Sequence, residues 1–354
     1  MKKRILVTGA GGFIGSHMAK YLVEKGYWVR VVDIKWDNFI EGKYYDEKLT
    51  LDLRNPKSCF ESCEGMDEVY NLAANMGGIG YITSVHAEVA SDNVLINVNM
   101  LEAIRLLKIK KIFFSSSACI YPNFKQTTAQ VIPLKEEDAI PADPNEIYGW
   151  EKLFSEQLYE AYKEDCGVDI RIARFHNIFG EEGTYKDGRE KAPAAICRKI
   201  AQAKWNGEDS IIMWGDGEQT RSFLHVRDCV EGIYTLMQSN YDKPLNIGSD
   251  RLVTINELAS MIMEIAEVNL KIEHDLTKPQ GVRGRNSNND LCKDVIGWSY
   301  KMALKAGLIT TYKWIEEKVI EDLGLPKIEI TVNGSSLADA HFKQDHLGLT
   351  KEED

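Results

Sequence analysis

A glycine-rich turn between a strand-like and a helix-like segment constrains the fold of this chain more than any other feature. The segment reads TGAGGFIG from Thr8 to Gly15 and follows the apolar stretch Arg4–Thr8. In the spacing G-x-x-G-x-x-G, Gly9 permits a tight turn, Gly12 lets the backbone approach a pyrophosphate, and Gly15 allows close helix–strand packing. The helix N-terminus adds the positive end of a dipole. The pattern predicts a strand–turn–helix unit that binds a dinucleotide.

A second strand-like segment, Trp28–Asp33, ends on an acidic residue. A carboxylate at this position accepts hydrogen bonds from the ribose of an adenosine and repels the 2′-phosphate of NADP. We therefore expect Asp33 to select NAD.

Strand-like and helix-like segments alternate through the first half of the chain, which is typical of βαβ units around a parallel sheet. Further strands are predicted at 49–52, 68–73, 111–116 and 169–174, and helices at 13–25, 84–107 and 145–165. We expect an α/β fold with a Rossmann-type doubly wound parallel sheet and a smaller C-terminal substrate-binding lobe. The predicted division is 1–180 for the NAD-binding domain, 181–326 for the smaller lobe, partly interleaved with the first domain and opening on a helix at 194–203, and 327–354 for a polar tail.

Composition argues against several classes of protein. The 43 Lys and Arg residues against 54 Asp and Glu give a net charge of −11, which disfavours nucleic acid or an anionic membrane as a partner. No apolar run approaches the roughly 18 residues that span a bilayer. The seven cysteines are odd in number and include no C-x-x-C pair, so a reducing cytoplasm is favoured over a disulfide scaffold. Histidines and cysteines lack the spacing of metal ligands, and no metal is expected.

A tyrosine and a lysine, Tyr148 and Lys152, stand four residues apart and therefore share one face of a predicted helix. An ordinary tyrosine, with a pKa of about 10, is a poor base at neutral pH. A nearby ammonium and a cationic nicotinamide ring would both lower that pKa by favouring the phenolate. Tyr148 could then remove an alcohol proton as hydride leaves, with the serines 115–117 at a strand end orienting the same hydroxyl.

These features resemble the extended short-chain dehydrogenase/reductases that act on nucleotide sugars. The resemblance covers residues 1–325 and is carried by TGAGGFIG, Asp52-Leu53, NLAA (71–74), SSSACIYP (115–122), YGWEK (148–152), RFHNIFG (174–180) and QTRSF (219–223). It implies that the cofactor is bound by Gly9, Gly12, Phe13, Ile14, Gly15, Asp33, Asp52, Leu53, Leu72, Ala73, Ala74, Tyr148 and Lys152. It also implies a homodimer formed through two helices of each subunit, with 84–107 and 145–165 as candidates.

The residues after Ser117 separate the reactions that this family performs on the transient ketone. A 4,6-dehydratase typically carries Asp-Glu there, whereas this chain has Ala118-Cys119. A cysteine can act as base or acid at a C–H next to a ketone, because the ketone stabilises the enolate. Inversion needs a second acid/base group on the opposite face, for which Lys191, at a turn before a helix, is a candidate.

Longer strings resemble the branch of the family that epimerises GDP-mannose, namely NLAANMGGIG, SSACIYP, RFHNIFG, GREKAPAAICRK, MWGDGEQTRSF and GVRGRNS. This resemblance implies C4 oxidation by tightly bound NAD, inversion at C5 and C3 through enolates, and re-reduction to GDP-L-galactose and GDP-L-gulose. It assigns Tyr148 and Lys152, with Ser117, to hydride transfer, and Cys119 and Lys191 to proton transfer on opposite faces. Implied substrate contacts are Gly77, Ser117, Ala118, Cys119, Asn177, Glu190, Lys191, Ala192, Lys199, Gln219, Thr220, Arg221 and Arg285.

Three other functions are compatible with parts of the sequence. A GDP-fucose synthase shares the cysteine segment, but it ends in net reduction by NADPH and usually has histidine as its second acid/base, so Asp33 and Lys191 argue against it. Another nucleotide-sugar 4-epimerase is an open alternative, since it needs only to turn the ketosugar over and reduce its other face. A redox-sensing or scaffold protein that only binds the cofactor is disfavoured, because such proteins often lack the Tyr/Lys pair that is intact here. His176 is expected to be a structural neighbour of Asn177 or a cofactor contact. The spacing favours Arg285 over Arg283 as a phosphate ligand, and Ser335 or Ser336 in the tail is a further candidate contact.

Overall fold

The computed structural model describes residues 2–326, which fold into two lobes with alternating strands and helices. The strands are β1 (Arg4–Thr8), β2 (Trp28–Asp33), β3 (Glu47–Thr50), β4 (Glu68–Asn71), β5 (Lys111–Ser117), β6 (Asp169–Phe175), β7 (Ile178–Phe179), β8 (Ser210–Trp214), β9 (Thr220–Ser222), β10 (Leu224–His225), β11 (Leu245–Ile247), β12 (Leu252–Thr254), β13 (Lys271–Asp275) and β14 (Gly284–Arg285). The α-helices are α1 (Phe13–Glu24), α2 (Pro56–Cys63), α3 (Ile79–Ile82), α4 (His86–Leu107), α5 (Ile147–Cys166), α6 (Ala192–Asn206), α7 (Val226–Gln238), α8 (Ile255–Ala266), α9 (Asp290–Ile296) and α10 (Leu304–Asp322).

A seven-stranded sheet in the order β11-β6-β5-β4-β1-β2-β3 organises the larger lobe, and all its neighbouring strands are parallel. The predicted Rossmann-type sheet is confirmed. The chain runs outward from β1 to β3 on one side, then returns to place β4 on the other side of β1. Open α/β sheets bind ligands outside the carboxyl ends of the strands at such a reversal. The fold therefore directs attention to the ends of β1 and β4.

Most predicted elements lie within two residues of their observed bounds, and two strand boundaries differ for identifiable reasons. The strand predicted at 49–52 is β3, which begins at Glu47, because this mostly polar edge strand alternates partly buried and exposed residues that hydropathy does not mark. The strand predicted at 68–73 ends at Asn71. The backbone N–H groups of Leu72 and Ala73 both turn to the Thr8 hydroxyl, at 3.2 Å each, and so leave the ladder.

Helices cover both faces of the large sheet, as a doubly wound fold requires. Helices α2, α4 and α5 pack on one face, whereas α1, α7 and α9 pack on the other. The smaller lobe has its own core, built from α6, α8 and α10 with the parallel pair β8–β13 and the three-stranded sheet β12-β9-β14. Helices α7 and α9 and strand β11 lie after residue 181 in the chain, yet they complete the core of the larger lobe. The helix predicted at 194–203 is α6, which opens the smaller lobe.

None of the helices within residues 2–326 is both long enough and apolar enough to cross a membrane. All seven cysteines are free, and in this same range no group of three or more His, Cys, Asp or Glu side chains could hold a metal ion.

Candidate active site

A cavity of about 890 Å³ opens at the carboxyl ends of the large sheet and is lined by residues of both lobes. All the cofactor-binding residues predicted from the sequence line it, as do all the predicted substrate contacts except one. The exception is Thr220, which is buried and donates its hydroxyl hydrogen to the carbonyl of Ala129 at 2.5 Å. The predicted Ser335 and Ser336 lie outside the described residues.

Close backbone contacts require glycine at two positions of this turn, Gly9 and Gly15. Gly9 has a φ of +65°, and a Cβ atom there would lie 2.6 Å from the carbonyl oxygen of Leu72. A Cβ atom on Gly15 would lie 2.0 Å from the carbonyl oxygen of Gly9, so helix and turn approach each other closely only with glycine. Helix α1 begins with no side-chain cap, and its first turn lines the cavity. Amide groups at such a helix start form an anion site.

Gly11 was not singled out from the sequence, although its position is the most crowded in the turn. A Cβ atom on Gly11 would lie 1.8 Å from the carbonyl oxygen of Lys35, because the chain leaving β2 crosses the turn. The sequence does contain two consecutive glycines, Gly11 and Gly12, where the spacing G-x-x-G-x-x-G needs only Gly12.

Asp33 lies at the end of β2 beside the glycine turn, as predicted. Its carboxylate accepts the backbone N–H groups of Gly11 (2.9 Å), Ile34 (2.7 Å) and Lys35 (3.2 Å). Burial outweighs these bonds and raises the pKa of Asp33 above its ordinary value. A carboxylate offers about four acceptor positions, so one stays available to a ribose hydroxyl.

Arg54 is a cavity residue that the sequence did not reveal. It donates to Asp52 at 2.7 Å and to Asp92 of α4 at 3.1 Å. Arg54 therefore fixes the carboxylate of Asp52, which is one of the predicted cofactor contacts and also lines the cavity.

Tyr148 and Lys152 lie buried on the first turns of α5, with 6% and 2% of their surfaces exposed. The lysine ammonium lies 5.6 Å from the centre of the Tyr148 ring. Helix α5 packs directly on the turn that carries Cys119, since a Cβ atom on Gly149 would lie 2.2 Å from the Cys119 carbonyl oxygen. Two segments distant in sequence thus deliver Tyr148 and Cys119 to one place.

The electrostatics of Tyr148 differ from the expectation of a lowered pKa. Burial, and then the negative charges of Cys119 and Glu151, raise the pKa of Tyr148 well above its ordinary value, and a hydrogen bond with Ser117 opposes them in part. Burial also lowers the pKa of Lys152. The sequence showed the nearby ammonium but not the depth at which the phenol is buried.

The three serines at the end of β5 have different partners. Ser116 is buried and donates to Glu156, while Ser115 donates to the carbonyl of Asn71 at 3.3 Å. The Ser117 hydroxyl accepts the backbone N–H of Cys119 at 3.1 Å, and it lies close enough to Tyr148 to oppose in part the rise in the pKa of that phenol. Ser117 is therefore the serine that joins the two reactive groups.

Cys119 lies between cations. A guanidinium nitrogen of Arg285 donates to its sulfur at 3.2 Å. Burial alone would raise the pKa of the Cys119 thiol, but Arg285, Ser117 and Lys191 together outweigh it, and the pKa is lowered below the ordinary thiol value. A lowered pKa increases the fraction of thiolate near neutral pH, and the thiolate is the form that acts as base and nucleophile.

Lys191 precedes α6 as its N-cap residue, in an extended conformation. Burial lowers the pKa of its ammonium group. The preceding loop packs tightly on the larger lobe, since the Gly78 amide donates to the carbonyl of Arg189 at 2.9 Å. The Arg189 guanidinium also lies 3.8 Å from the centre of the Tyr81 ring. Neither Arg189 nor Tyr81 was predicted, because nothing local marks a contact across 108 residues.

The substrate side of the cavity carries cations that lack carboxylate partners. Within residues 2–326, neither Arg221 nor Arg285 forms an ion pair, and Arg221 donates instead to the carbonyls of Thr220 and Val282, at 2.7 Å each. Arg283, by contrast, pairs with Asp216 at 2.8 Å and does not line the cavity. Of Arg283 and Arg285, the two candidate phosphate ligands, Arg285 is the one that lines the cavity.

His176 lies beneath the cavity and does not line it. It is fully buried, with its Nε2 atom 3.0 Å from the side-chain oxygen of Asn246. Burial lowers the pKa of His176 to about 3. The adjacent Asn177, at φ +39°, lines the cavity and donates to the carbonyl of Ser222 at 3.0 Å.

Comparisons with known proteins agree with this geometry. Residues 5–248 match the model of the NAD dependent epimerase/dehydratase family. GDP-mannose 3,5-epimerase of Arabidopsis thaliana is 47% identical over 334 residues, which are 94% of this chain and 87% of that protein. A probable GDP-L-fucose synthase of Oryza sativa subsp. japonica is 29% identical over 321 residues, 90% of this chain and 93% of its own length. The crystal structure of UDP-glucose 4-epimerase with UDP-glucose from Thermotoga maritima has a TM-score of 0.78 and 25% identity, covering 89% of this chain and 99% of that one.

Proposed function

Because the chain belongs to the NAD dependent epimerase/dehydratase family, we propose that it is a GDP-mannose 3,5-epimerase, which converts GDP-D-mannose to GDP-L-galactose and GDP-L-gulose. The meeting of Tyr148, Cys119 and Lys191 in one cavity carries this proposal. The relative of that name, at 47% identity, supports it over the fucose synthase, at 29%.

The residues around the glycine turn fit NAD as the cofactor. Gly9 and Gly15 form a cradle that a Cβ atom would fill, and the uncapped start of α1 suits a pyrophosphate. Asp33 has room for a ribose hydroxyl and would repel a 2′-phosphate. When bound, NAD would supply a hydride acceptor for C4 of the sugar and, in its reduced form, the hydride donor for the ketone.

Tyr148 would hold and move the proton of the C4 hydroxyl. Burial raises the pKa of Tyr148, so proton acceptance needs the phenolate, which the cationic nicotinamide ring of bound NAD would favour. As the hydride leaves C4, the Tyr148 phenolate would accept the hydroxyl proton, and the phenol would return that proton when the ketone is reduced. Lys152, held against the tyrosine ring, stabilises the phenolate. Ser117, which acts on the pKa of Tyr148, would orient the C4 hydroxyl together with it.

Cys119 and Lys191 would carry out the inversions. With a ketone at C4, the C–H bonds at C5 and C3 are acidic, because the negative charge spreads onto the ketone oxygen as an enolate. The Cys119 thiolate removes the proton from one face, and the Lys191 ammonium donates a proton to the other. The lowered pKa of each group favours its role, since it increases the fraction of thiolate and makes the ammonium a readier donor.

The unpaired cations are suited to the substrate's anionic end. A protein of net charge −11 needs a local positive site for a nucleoside diphosphate, and arginine forks bind phosphate through two parallel hydrogen bonds. Arg221 and Lys199 line the cavity toward the smaller lobe and would bind the GDP moiety. Arg285, which touches Cys119, would lie nearer the sugar end than its assignment to the phosphates implies.

The decisive experiment incubates the protein and GDP-mannose in D2O without added NADPH and follows the sugar by NMR. The expected result is deuterium at C3 and C5, together with new GDP-hexose isomers. Unchanged GDP-mannose would overturn the proposal, and turnover of GDP-4-keto-6-deoxy-mannose with net consumption of NADPH would establish a fucose synthase instead. Inversion at C4 without deuterium exchange would establish a simple 4-epimerase.

A homodimer through α4 and α5 is part of the proposal. These helices pack on each other, yet they leave large apolar side chains exposed: Leu95 (47%), Trp150 (46%) and Phe154 (53%). Trp150 and Phe154 stand one helical turn apart on α5 and so share a face. Exposed apolar surface of this kind is typical of a protein–protein interface.

Light scattering after size exclusion tests the dimer. The variant Phe154→Lys should shift the mass from two chains toward one, because it places a charge in the apolar face. Ile132→Lys, at a position that is 84% exposed and outside these helices, is the matched control. A mass of one chain for the unaltered protein would refute the dimer.

We also propose a cytoplasmic location. Seven free thiols support a reducing compartment, since oxidising compartments favour disulfides.

A further inference from the structure

Gln126 is a fully buried amide that the catalytic assignments leave unused. It follows the short turn Asn123–Lys125 and lies between the Cys119 segment and β14. Its side-chain nitrogen donates to the carbonyls of Tyr121 (3.0 Å) and Pro122 (3.2 Å), which come directly after the cysteine turn. Its side-chain oxygen accepts the Nε–H of Arg285 at 2.6 Å. One amide thus ties the cysteine segment to the arginine that faces the cysteine.

Arg285 needs such a tether. The strand that carries it, β14, is only two residues long. In the ladder with β9 it is paired with Arg221, so two guanidinium groups repel each other there. Within residues 2–326 no carboxylate holds Arg285. The contacts that fix its side chain are the one to Gln126 and the 3.2 Å contact to the Cys119 sulfur.

We propose that Gln126 is a positioning residue for proton transfer, because it holds the Arg285 guanidinium against the Cys119 sulfur and links both to the same turn. A neutral amide suits this task. It orients the guanidinium plane through Nε while leaving the positive charge uncompensated, whereas a carboxylate would orient the group and cancel its charge. The consequence for catalysis rests on the proposed function, which assigns proton transfer to Cys119; the Gln126–Arg285–Cys119 contact does not.

The test measures the ionisation of Cys119 without any substrate. The rate of Cys119 alkylation by iodoacetamide is followed against pH by peptide mass spectrometry, since only the thiolate reacts. The exposed Cys166 in the same molecule is an internal reference. Arg285→Gln should raise the pKa of Cys119, and Gln126→Met should raise it in the same direction by a smaller amount. Each unit of pKa shift lowers the alkylation rate about tenfold at a pH below the pKa.

A double-mutant cycle shows whether Gln126 acts through Arg285. The double variant should alkylate no more slowly than Arg285→Gln alone, because a positioning residue has no effect once its target is gone. Gln202→Met is the matched control, since Gln202 accepts a hydrogen bond from Arg198 at 2.9 Å, away from the thiol. This control should leave the Cys119 profile unchanged.

Three results would overturn the inference: an unchanged Cys119 profile in folded Gln126→Met, shifts that add in the double variant, or an equal shift in the control. If Gln126→Met does not fold, Gln126→Asn replaces it, because it keeps an amide in the site and shortens the reach by one methylene. With GDP-mannose, Gln126→Met should slow deuterium entry at C5 and spare the transient absorbance of reduced cofactor. A protein that does not turn over GDP-mannose but shows the alkylation shift would refute the proposed function and leave the contact established.

Discussion

The cavity has two halves that are built in different ways. The cofactor half comprises the glycine turn, Asp33 and the ends of β1 and β4, and backbone geometry shapes it. The substrate half comprises Cys119, Lys191, Arg221 and Arg285, and charged side chains from separate segments shape it. In the cofactor half, the backbone packs so closely that a Cβ atom on Gly9 or Gly15 would clash with a carbonyl oxygen. In the substrate half, cations without carboxylate partners lie near the Cys119 thiol.

This difference separates binding from chemistry. The cofactor half offers N–H groups and a carboxylate in fixed positions, which suit a ligand that stays bound. The substrate half holds Cys119 and Lys191 with pKa values displaced from their ordinary range, as groups that exchange protons require. Tyr148 lies where the halves meet. A substitution in the cofactor half should therefore leave the ionisation of Cys119 unchanged. A substitution in the substrate half should leave NAD binding unchanged.

The largest expected effect comes from Tyr148→Phe, at the junction. Loss of the phenol removes the acceptor of the C4 hydroxyl proton, and turnover should fall about 10²–10⁴-fold. Deuterium exchange at C5 should fall equally, because no enolate forms without a ketone. NAD content, measured after denaturation, should stay at the level of the unaltered protein.

The matched control for this change is Tyr162→Phe on the same helix, where the hydroxyl bonds Glu102 away from the cavity. It should retain full turnover. Deuterium exchange at C5 in Tyr148→Phe would contradict the order of oxidation before proton transfer.

Cys119→Ser should break the substrate half alone. A serine hydroxyl ionises far less readily than a thiol, so deuterium entry at C5 should fall about 10²-fold or more. The ketone should still form, since Tyr148 and Lys152 are intact, and transient reduced cofactor should appear at 340 nm. Lys191→Ala should behave similarly, with NAD content unchanged.

Cys166→Ser provides the control, because Cys166 is exposed at the end of α5. Full epimerase activity in Cys119→Ser would remove Cys119 from the mechanism, whereas loss of bound NAD would show that the two halves are not separable.

Gly15→Ala should break the cofactor half alone. The added Cβ atom would lie 2.0 Å from the Gly9 carbonyl oxygen and push α1 away from the turn. Such overpacking typically costs about 1–3 kcal/mol, which corresponds to NAD binding weaker by about 5- to 150-fold if it falls on the bound form. The alkylation profile of Cys119, measured without substrate, should not change.

Gly167→Ala is the comparison for Gly15→Ala, because a Cβ atom there meets no neighbour within 4 Å. It should lower thermal stability through its positive φ of +68° and leave NAD content unaltered. Equal loss of NAD in both variants would mean that stability rather than the cradle controls binding.

The two halves also differ in how far the sequence predicts them. The cofactor half lies in short contiguous motifs, so Gly9, Gly15 and Asp33 were found by spacing alone. In the substrate half, Gln126 contacts Arg285 across 159 residues, and no local pattern marks such a pair. Thr220 was predicted to contact the substrate but does not line the cavity. Neighbouring residues along a strand face opposite sides, and here Gln219 and Arg221 face the cavity.

The fold shows the same division. The buried strands β1 and β2 were predicted to the residue, because their apolar runs mark both ends. The predicted position of the polar edge strand β3 was too far along the chain, since the strand's position depends on pairing with β2 rather than on burial. Resemblance to a family supplied the substrate residues that spacing could not.

The last expected effect is on stability rather than on turnover, and it concerns His176 beneath the substrate half. Burial, with Arg285 and Arg174 nearby, lowers the pKa of His176 to about 3, against an ordinary value of 6.5. Between these pH values the unfolded chain binds the proton and the folded chain does not. The free energy of unfolding should therefore fall as pH falls through this window, by up to about 1.4 kcal/mol per pH unit for this group.

Urea unfolding between about pH 7 and pH 4.5 measures this slope in the unaltered protein and in His176→Gln, which cannot take up the proton. The variant should be less stable at pH 7, because its contact with Asn246 is altered, but its stability should depend less steeply on pH. His274→Gln, at an exposed position on β13, controls for the loss of a histidine and should keep the original slope. Parallel slopes for His176→Gln and the unaltered protein would show that His176 carries a proton in the folded state. Burial beneath the cavity would then fail to keep His176 neutral, although its side chain does not line the substrate half.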